Sequence, residues 1–246
     1  MQVSYNLTFV TLSVFVAIIG SYAVLGIFSS FTQKEDETEI PALTTGVLMG
    51  LAIWTMHFIG MKAFTTTVKV KYDILITIFS IFPAALGASI AFFTLFPKTT
   101  KRPSKKRLLL SSLIMGTSIV VMHYTGMAAM MMPARISYNS FIVMLSIVIA
   151  FLASYLALAY FIHLNFLHHN NKKKHAKIFP AILMGVTISL VHYIGMSAAN
   201  FIPNSTLSNN SLLLLNEYAT YGIAFYCALM LILTSMIVAV TLNKSN

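Results

Sequence analysis

Seven stretches of this chain are too long and too apolar to rest in water: about Leu7 to Ser29, Pro41 to Phe64, Asp73 to Phe96, Arg107 to Met132, Tyr138 to Leu167, Lys177 to Ile202 and Asn216 to Asn243. Each reaches the roughly 20 residues that a helix needs to cross a hydrocarbon core of about 30 Å. Backbone in hydrocarbon must satisfy its own hydrogen bonds, and an apolar run of this length does so as a helix. The composition agrees, with 58% hydrophobic residues, 9% charged residues and a mean hydropathy of +0.83, where a soluble domain carries roughly 25% charged residues. The expected fold is an all-α integral membrane protein with seven transmembrane helices, a multi-pass resident of the cell membrane.

Several classes are excluded at once. The single cysteine, Cys227, lies in an apolar run, so neither a disulfide framework nor a cysteine-based zinc site is available. The net charge of +10 sits in short clusters between spans, where basic residues orient a membrane protein. The expected partner is therefore the lipid bilayer, with no nucleic acid. The first run lacks a basic leader and an evident cleavage site, so it reads as a retained span. Pro41 and Pro180 fall in first turns, Pro133 and Pro203 follow the fourth and sixth spans, and Pro83 predicts a kink in the third.

Counting basic residues in the loops gives the orientation. One side carries Lys34, Lys98, Lys101, Arg102, Lys105, Lys106, Arg107, Lys172, Lys173, Lys174, Lys177 and Lys244; the other carries Lys62, Lys69, Lys71 and Arg135. The positive-inside rule places the N-terminus outside and the C-terminus in the cytoplasm. The acidic run Glu35-Asp36-Glu37 with Glu39 reads as a solvated inner loop, and the basic clusters as topology determinants and lipid head-group contacts.

A seven-residue motif occurs three times inside these runs: Thr55-Met56-His57-Phe58-Ile59-Gly60-Met61, Val121-Met122-His123-Tyr124-Thr125-Gly126-Met127 and Leu190-Val191-His192-Tyr193-Ile194-Gly195-Met196. A Met-Gly pair sits eight and seven residues before each histidine, as Met49-Gly50, Met115-Gly116 and Met184-Gly185. The preceding spans repeat too. Ser13, Ser80 and Ser146 lead similar segments and precede the next motif histidine by 44, 43 and 46 residues. The duplicated unit is thus a helix hairpin. Two spans per unit make the three copies parallel repeats rather than inverted ones, with the seventh helix additional.

Parallel repeats put the three histidines at one depth. Each comes about 16 residues after the inner end of its helix, roughly 24 Å up at 1.5 Å per residue, in the outer third of the bilayer. The methionine four residues after each histidine shares its face, as do the glycines seven before and three after, and glycine lets neighbouring helices approach closely. Met56 and Met122 give two motifs a second thioether.

Neutral imidazoles and thioethers without carboxylates suit copper, Cu(I) above all. The candidate ligands are His57, Met61, His123, Met127, His192 and Met196, with Met56 and Met122. Haem b is the alternative cofactor, since histidine and methionine are also its axial ligands. Against both stands a purely structural role, in which the histidines bond neighbouring helices and the methionines fill gaps. Met49, Met115, Met184, Gly50, Gly116, Gly185, Gly60, Gly126, Gly195, Tyr124 and Tyr193 are expected behind the ligands or in helix packing. Trp54 reads as an interfacial anchor, and His163, His168, His169 and His175 as interfacial or loop residues.

The three motifs resemble those of the MHYT-domain family, whose name is spelled by Met122-His123-Tyr124-Thr125. The likeness covers about Leu7 to Ile202. It implies a membrane domain over 1–206, with motif helices at about 41–64, 107–132 and 177–202, followed by an outer loop and seventh helix over 207–246. It further implies a sensor that holds copper near the outer face and through it detects a diatomic gas such as oxygen, carbon monoxide or nitric oxide. Val191 stands where the third motif's leading methionine would be, and Phe58 and Ile59 replace tyrosine and threonine in the first. Family members resemble receptors with enzymatic output domains. Here the chain ends three residues after Asn243, so the expectation is a sensor and not an enzyme, read by a cytoplasmic or membrane signalling protein. The competing functions are a membrane b-type haem redox protein and a copper transporter. Against ion-coupled transport, no Asp, Glu, Lys or Arg lies in the middle of a span.

Overall fold

Helices form where the apolar runs predict them. The computed structural model describes residues 3–31, 39–68, 70–95, 102–167 and 178–203, together with positions 222, 226, 229, 233 and 236. Among these residues six helical spans are long and apolar enough to cross a membrane: Leu7–Ile27, Ala42–Ala63, Ile74–Leu95, Lys105–Ala128, Ser140–His163 and Ile178–Ser197. The elements that supply them are α1 (Leu7–Phe31), α2 (Glu39–Ala63), α3 (Ile74–Phe79) with α4 (Ile81–Leu95), α5 (Lys105–Ala128), α6 (Ser140–Leu167) and α7 (Ile178–Ser197). The expected seventh helix lies outside the described residues except for those five positions, which are helical. One of them, Tyr226, packs edge-on to Trp54 with ring centroids 5.3 Å apart. The expected domain boundary at 206 and Cys227 also fall outside the described residues.

The six spans close into a ring around a central triangle. The motif helices α2, α5 and α7 touch one another, and each gap between two of them is filled from outside: by α1 between α7 and α2, α4 between α2 and α5, and α6 between α5 and α7. Burial follows this plan. The most apolar stretch of α2 is 67% buried and that of α6 only 28%, so α6 faces lipid along Phe141, Leu145, Val148, Leu152 and Leu156. The glycines seven residues before the histidines permit the tight inner-to-outer approach. A Cβ on Gly50 would collide with the Ala85 backbone of α4, and one on Gly185 with the Ile18 backbone of α1.

The fold is not purely helical, contrary to expectation. Each motif helix stops short of the end of its apolar run, at Ala63, Ala128 and Ser197, and turns into a short strand: β2 (Phe64–Thr66), β4 (Met130–Met131) or β6 (Ala199–Pro203). These pair antiparallel with β1 (Val3–Tyr5), β3 (Lys71–Tyr72) and β5 (Ala134–Tyr138), which precede α1, α3 and α6. The physical cause is backbone satisfaction at a boundary where the helix ladder ends. Equivalent bonds mark the three units: the N–H groups of Asn6, Asp73 and Asn139 donate to the carbonyls of Ala63, Ala129 and Ala198 at 2.8, 2.8 and 2.9 Å. The same three Asx side chains accept from helix N-termini, Asn6 from Thr8, Asp73 from Ile76 and Asn139 from Phe141, at 3.0, 2.9 and 3.0 Å. Each unit is therefore a hairpin of two helices whose ends are tied by a two-stranded ribbon.

The third span, in which Pro83 predicts a kink, is interrupted near that residue. The break falls at Ser80, between α3 and α4, because Pro83 has no N–H to continue the helical ladder.

Candidate metal centre

The histidines converge at the core of the triangle. His57 on α2, His123 on α5 and His192 on α7 are all buried. They lie six, five and five residues before the ends of their helices, about 8–9 Å below the ribbons at 1.5 Å per residue. Their ring centroids form a nearly equilateral triangle, with sides of 5.1, 4.8 and 5.2 Å and interplanar angles of 87–90°. His57 Nδ1 stands 3.0 Å from His192 Nδ1 and 3.2 Å from His123 Nδ1. Among the described residues these three side chains are close enough to share an ion, each offering one ligand atom within 4.8 Å of the others.

The spacing fits a metal. Two imidazole nitrogens bound at about 2.0 Å to one ion stand about 3.3–3.5 Å apart for angles between tetrahedral and trigonal, so the observed nitrogens would need to part by only a few tenths of an ångström. Without an ion, each Nδ1 contact requires a proton between two nitrogens. With all three Nδ1 atoms bare, lone pair faces lone pair, and a cation removes that repulsion. The Nε2 atoms are buried, and the His123 and His192 rings lie against the backbone of Gly195 and Gly60. The tautomer that frees Nδ1 for a metal puts the proton on Nε2.

The motif glycines explain how the rings are seated. A Cβ on Gly126 would come closer than 3.0 Å to His57 Nε2, one on Gly195 to His123 Nε2, and one on Gly60 to His192 Nε2. Each imidazole thus rests on the glycine of the next motif helix in cyclic order. Gly60, Gly126 and Gly195, expected behind the ligands or in helix packing, make room here for a neighbour's ring.

The motif methionines separate by level. Met61, Met127 and Met196 gather on the ribbon side of the histidines, in an apolar cluster with Phe64, Met130 and Phe201. Met56, Met122, Met49, Met115 and Met184 belong to the main core instead, together with Val191. Of the candidate thioethers, the ones four residues after each histidine thus gather as a threesome of their own. Toward the opposite end come Ile53, Ile119 and Ile188, then Met49, Met115 and Met184, which line one cavity.

Tyr124 and Tyr193, expected behind the ligands or in helix packing, find partners that the sequence reading did not name. Tyr193 OH hydrogen-bonds Ser13 Oγ of α1 at 2.8 Å, and Tyr124 OH bonds Ser146 Oγ of α6 at 3.1 Å. In the first motif Phe58 has no hydroxyl, and Trp54 Nε1 donates to Ser80 Oγ at 2.9 Å. Trp54 is buried and is therefore no interfacial anchor: its indole N–H finds the hydroxyl that a tyrosine finds elsewhere. The ribbon tyrosines complete the pattern, with Tyr5 edge-on to Tyr193, Tyr72 to Phe58 and Tyr138 to Tyr124 at 5.9, 6.0 and 5.5 Å. Burial pushes the Tyr72 phenol up, so it stays a neutral donor, its OH 3.4 Å from the Met61 carbonyl. The signal was present as Tyr5-Asn6, Tyr72-Asp73 and Tyr138-Asn139, each tyrosine eight residues before Ser13, Ser80 or Ser146. His163 is exposed near the far end of α6, while His168, His169 and His175 lie outside the described residues.

Comparison with known proteins points to one family. Residues 50–110 and 116–170 match the family described as MHYT, bacterial signalling protein N terminal repeat. The chain is 37% identical over 199 residues to the bifunctional diguanylate cyclase/cyclic di-GMP phosphodiesterase MucR of Pseudomonas aeruginosa, covering 80% of this chain and 28% of that protein. It is 34% identical over 203 residues to the signaling protein YkoW of Bacillus subtilis, covering 81% and 25%. With the cyclic di-GMP phosphodiesterase NbdA of Pseudomonas aeruginosa it shares 27% over 195 residues, 79% and 24%. The chain thus spans about a quarter of the length of these relatives. No solved structure matches it. A thrice-repeated hairpin, three convergent motif histidines and these matches together place the chain in the MHYT family of membrane signalling domains.

Proposed function

We propose that this domain is the sensory membrane part of a signalling system and holds copper through His57, His123 and His192, with Met61, Met127 and Met196 as thioether donors on the ribbon side. The observation that carries the reading is the meeting of three Nδ1 atoms, two of the separations being 3.0 and 3.2 Å, in a buried site to which no carboxylate contributes. A neutral donor set of this kind suits Cu(I). Bound copper would supply the centre at which a diatomic gas exchanges with a weak thioether donor, and the gas would reach it through the membrane, where small apolar molecules dissolve.

The ring contacts favour copper over haem b. Axial histidines stand on opposite faces of a porphyrin, and imidazoles in mutual contact leave no gap for a macrocycle. The asymmetry of basic residues supports a ribbon end facing outward, with the basic loops in the cytoplasm. Output would pass to a signalling protein or domain on that side, as in relatives named for cyclic di-GMP turnover.

The test is metal analysis of protein purified from native membranes, with X-ray absorption at the copper edge. Bound copper with nitrogen scattering, lost in H57A/H123A/H192A, is expected. Protein that stays copper-free when offered Cu(I) would overturn the reading.

A further inference from the structure

Eight residues before each histidine, about 12 Å along the helices, a second set of three equivalent side chains meets. Met49, Met115 and Met184 come one from each motif helix, are 0%, 1% and 4% exposed, and line a single small cavity. Between them and the histidines lies a layer of Ile53, Ile119 and Ile188. Apolar fill alone would be served as well by leucine or isoleucine, and the intervening layer is isoleucine in all three copies. The cavity wall also includes Ser154 of α6, whose hydroxyl is buried without a hydrogen-bond partner.

We propose that Met49, Met115 and Met184 form a second cation site, distinct from the histidine triad and built on thioethers, that takes Cu(I) or its analogue Ag(I). The donor chemistry selects the class. Thioethers are soft and neutral, and the wall offers no carboxylate, so a hard or divalent ion would lack both its oxygen ligands and its charge compensation. A soft monovalent ion needs neither. Methionine, with its flexible unbranched chain, adjusts to close around such an ion. This inference does not require that the histidines hold copper.

The experiment titrates three purified full-length proteins with Cu(I) against a competing chelator and records copper X-ray absorption. The proteins are the wild type, H57A/H123A/H192A and M49L/M115L/M184L. The wild type should bind two equivalents. The leucine variant, which conserves side-chain volume, should bind one with nitrogen scattering, and the alanine variant one with sulfur scattering alone. The single variant M184L, with two thioethers left, should weaken only the equivalent that shows no nitrogen scattering, by roughly tenfold, and circular dichroism should report the same helix content throughout. A leucine variant that keeps the wild-type stoichiometry and affinity would overturn the proposal and leave the histidine site standing. A leucine variant that binds nothing, beside an alanine variant that keeps a sulfur-bound ion, would overturn the histidine site and leave this one.

Discussion

The first arm of the bundle differs from the other two in chemistry and hardly at all in geometry. In the second and third arms a tyrosine next to the histidine reaches across to a serine of the outer helix, Tyr124 to Ser146 and Tyr193 to Ser13. In the first, phenylalanine occupies that place and Trp54, one turn earlier, makes the bond to Ser80. The receiving serine is the invariant of the arrangement, and the donor is replaceable. The constraint is therefore the distance between inner and outer helices beside the histidine triad. Any aromatic able to fill the gap and donate one hydrogen bond meets it. The first arm is also where the span breaks, at Ser80, and where the last apolar run touches the bundle, through Tyr226 on Trp54.

If the arms are equivalent at the centre, Gly60→Ala, Gly126→Ala and Gly195→Ala should each be severe and similarly so. The new methyl enters space held by a neighbour's imidazole, which costs about 1–3 kcal/mol in overpacking and displaces a ligand. Each variant should melt at a lower temperature in detergent and, if the triad holds copper as proposed, bind less of it when offered Cu(I). One arm that tolerates the change would show that its histidine is dispensable.

Trp54→Phe should come next, destabilising by about 2–3 kcal/mol in denaturant titrations, because a buried indole loses packing as well as its bond to Ser80. Tyr124→Phe and Tyr193→Phe remove only a hydroxyl, and hydrogen bonds between membrane helices average about 0.6 kcal/mol. Each should therefore cost about 0.5–1.5 kcal/mol. A Trp54→Phe effect no larger than these would mean that the indole contributes its bond alone.

The smallest and most informative effect is the last. Phe58→Tyr adds a hydroxyl beside a serine that already accepts from Trp54, and should destabilise slightly. Combined with Trp54→Phe it rebuilds the pattern of the other arms, and should recover about 0.5–1 kcal/mol relative to the sum of the single changes. Strict additivity would argue that Phe58 and Ser80 are not equivalent to the tyrosine–serine pairs.

Much of this was readable in the chain. Six of the expected spans form within a few residues of their predicted limits, because apolar length and backbone satisfaction leave no other element. Inside the membrane the histidine, methionine and glycine spacings predicted a shared inner face. The ribbons were missed because Met130–Met131 and Ala199–Pro203 extend the apolar runs without a break, and hydropathy alone does not distinguish helix from strand. Alternation in Ala134-Arg135-Ile136-Ser137-Tyr138 was the available cue. Trp54 was misplaced for a related reason. A lone tryptophan in the outer leaflet suits an interface, and only the tertiary packing buries it and brings its indole to Ser80.

Sequence alone determined that the chain crosses the membrane, that one hairpin is used three times, and that each copy presents imidazole and thioether on one face, since these are properties of composition and helical period. Tertiary structure decided which copy seats against which. The cyclic placement of each histidine on the next helix's glycine, and the meeting of Nδ1 rather than Nε2 at the centre, depend on how three helices rotate about their own axes. That rotation is set by contacts between residues far apart in the chain, above all the serine bonds and glycine approaches to the outer ring, and no periodicity within a single helix encodes it.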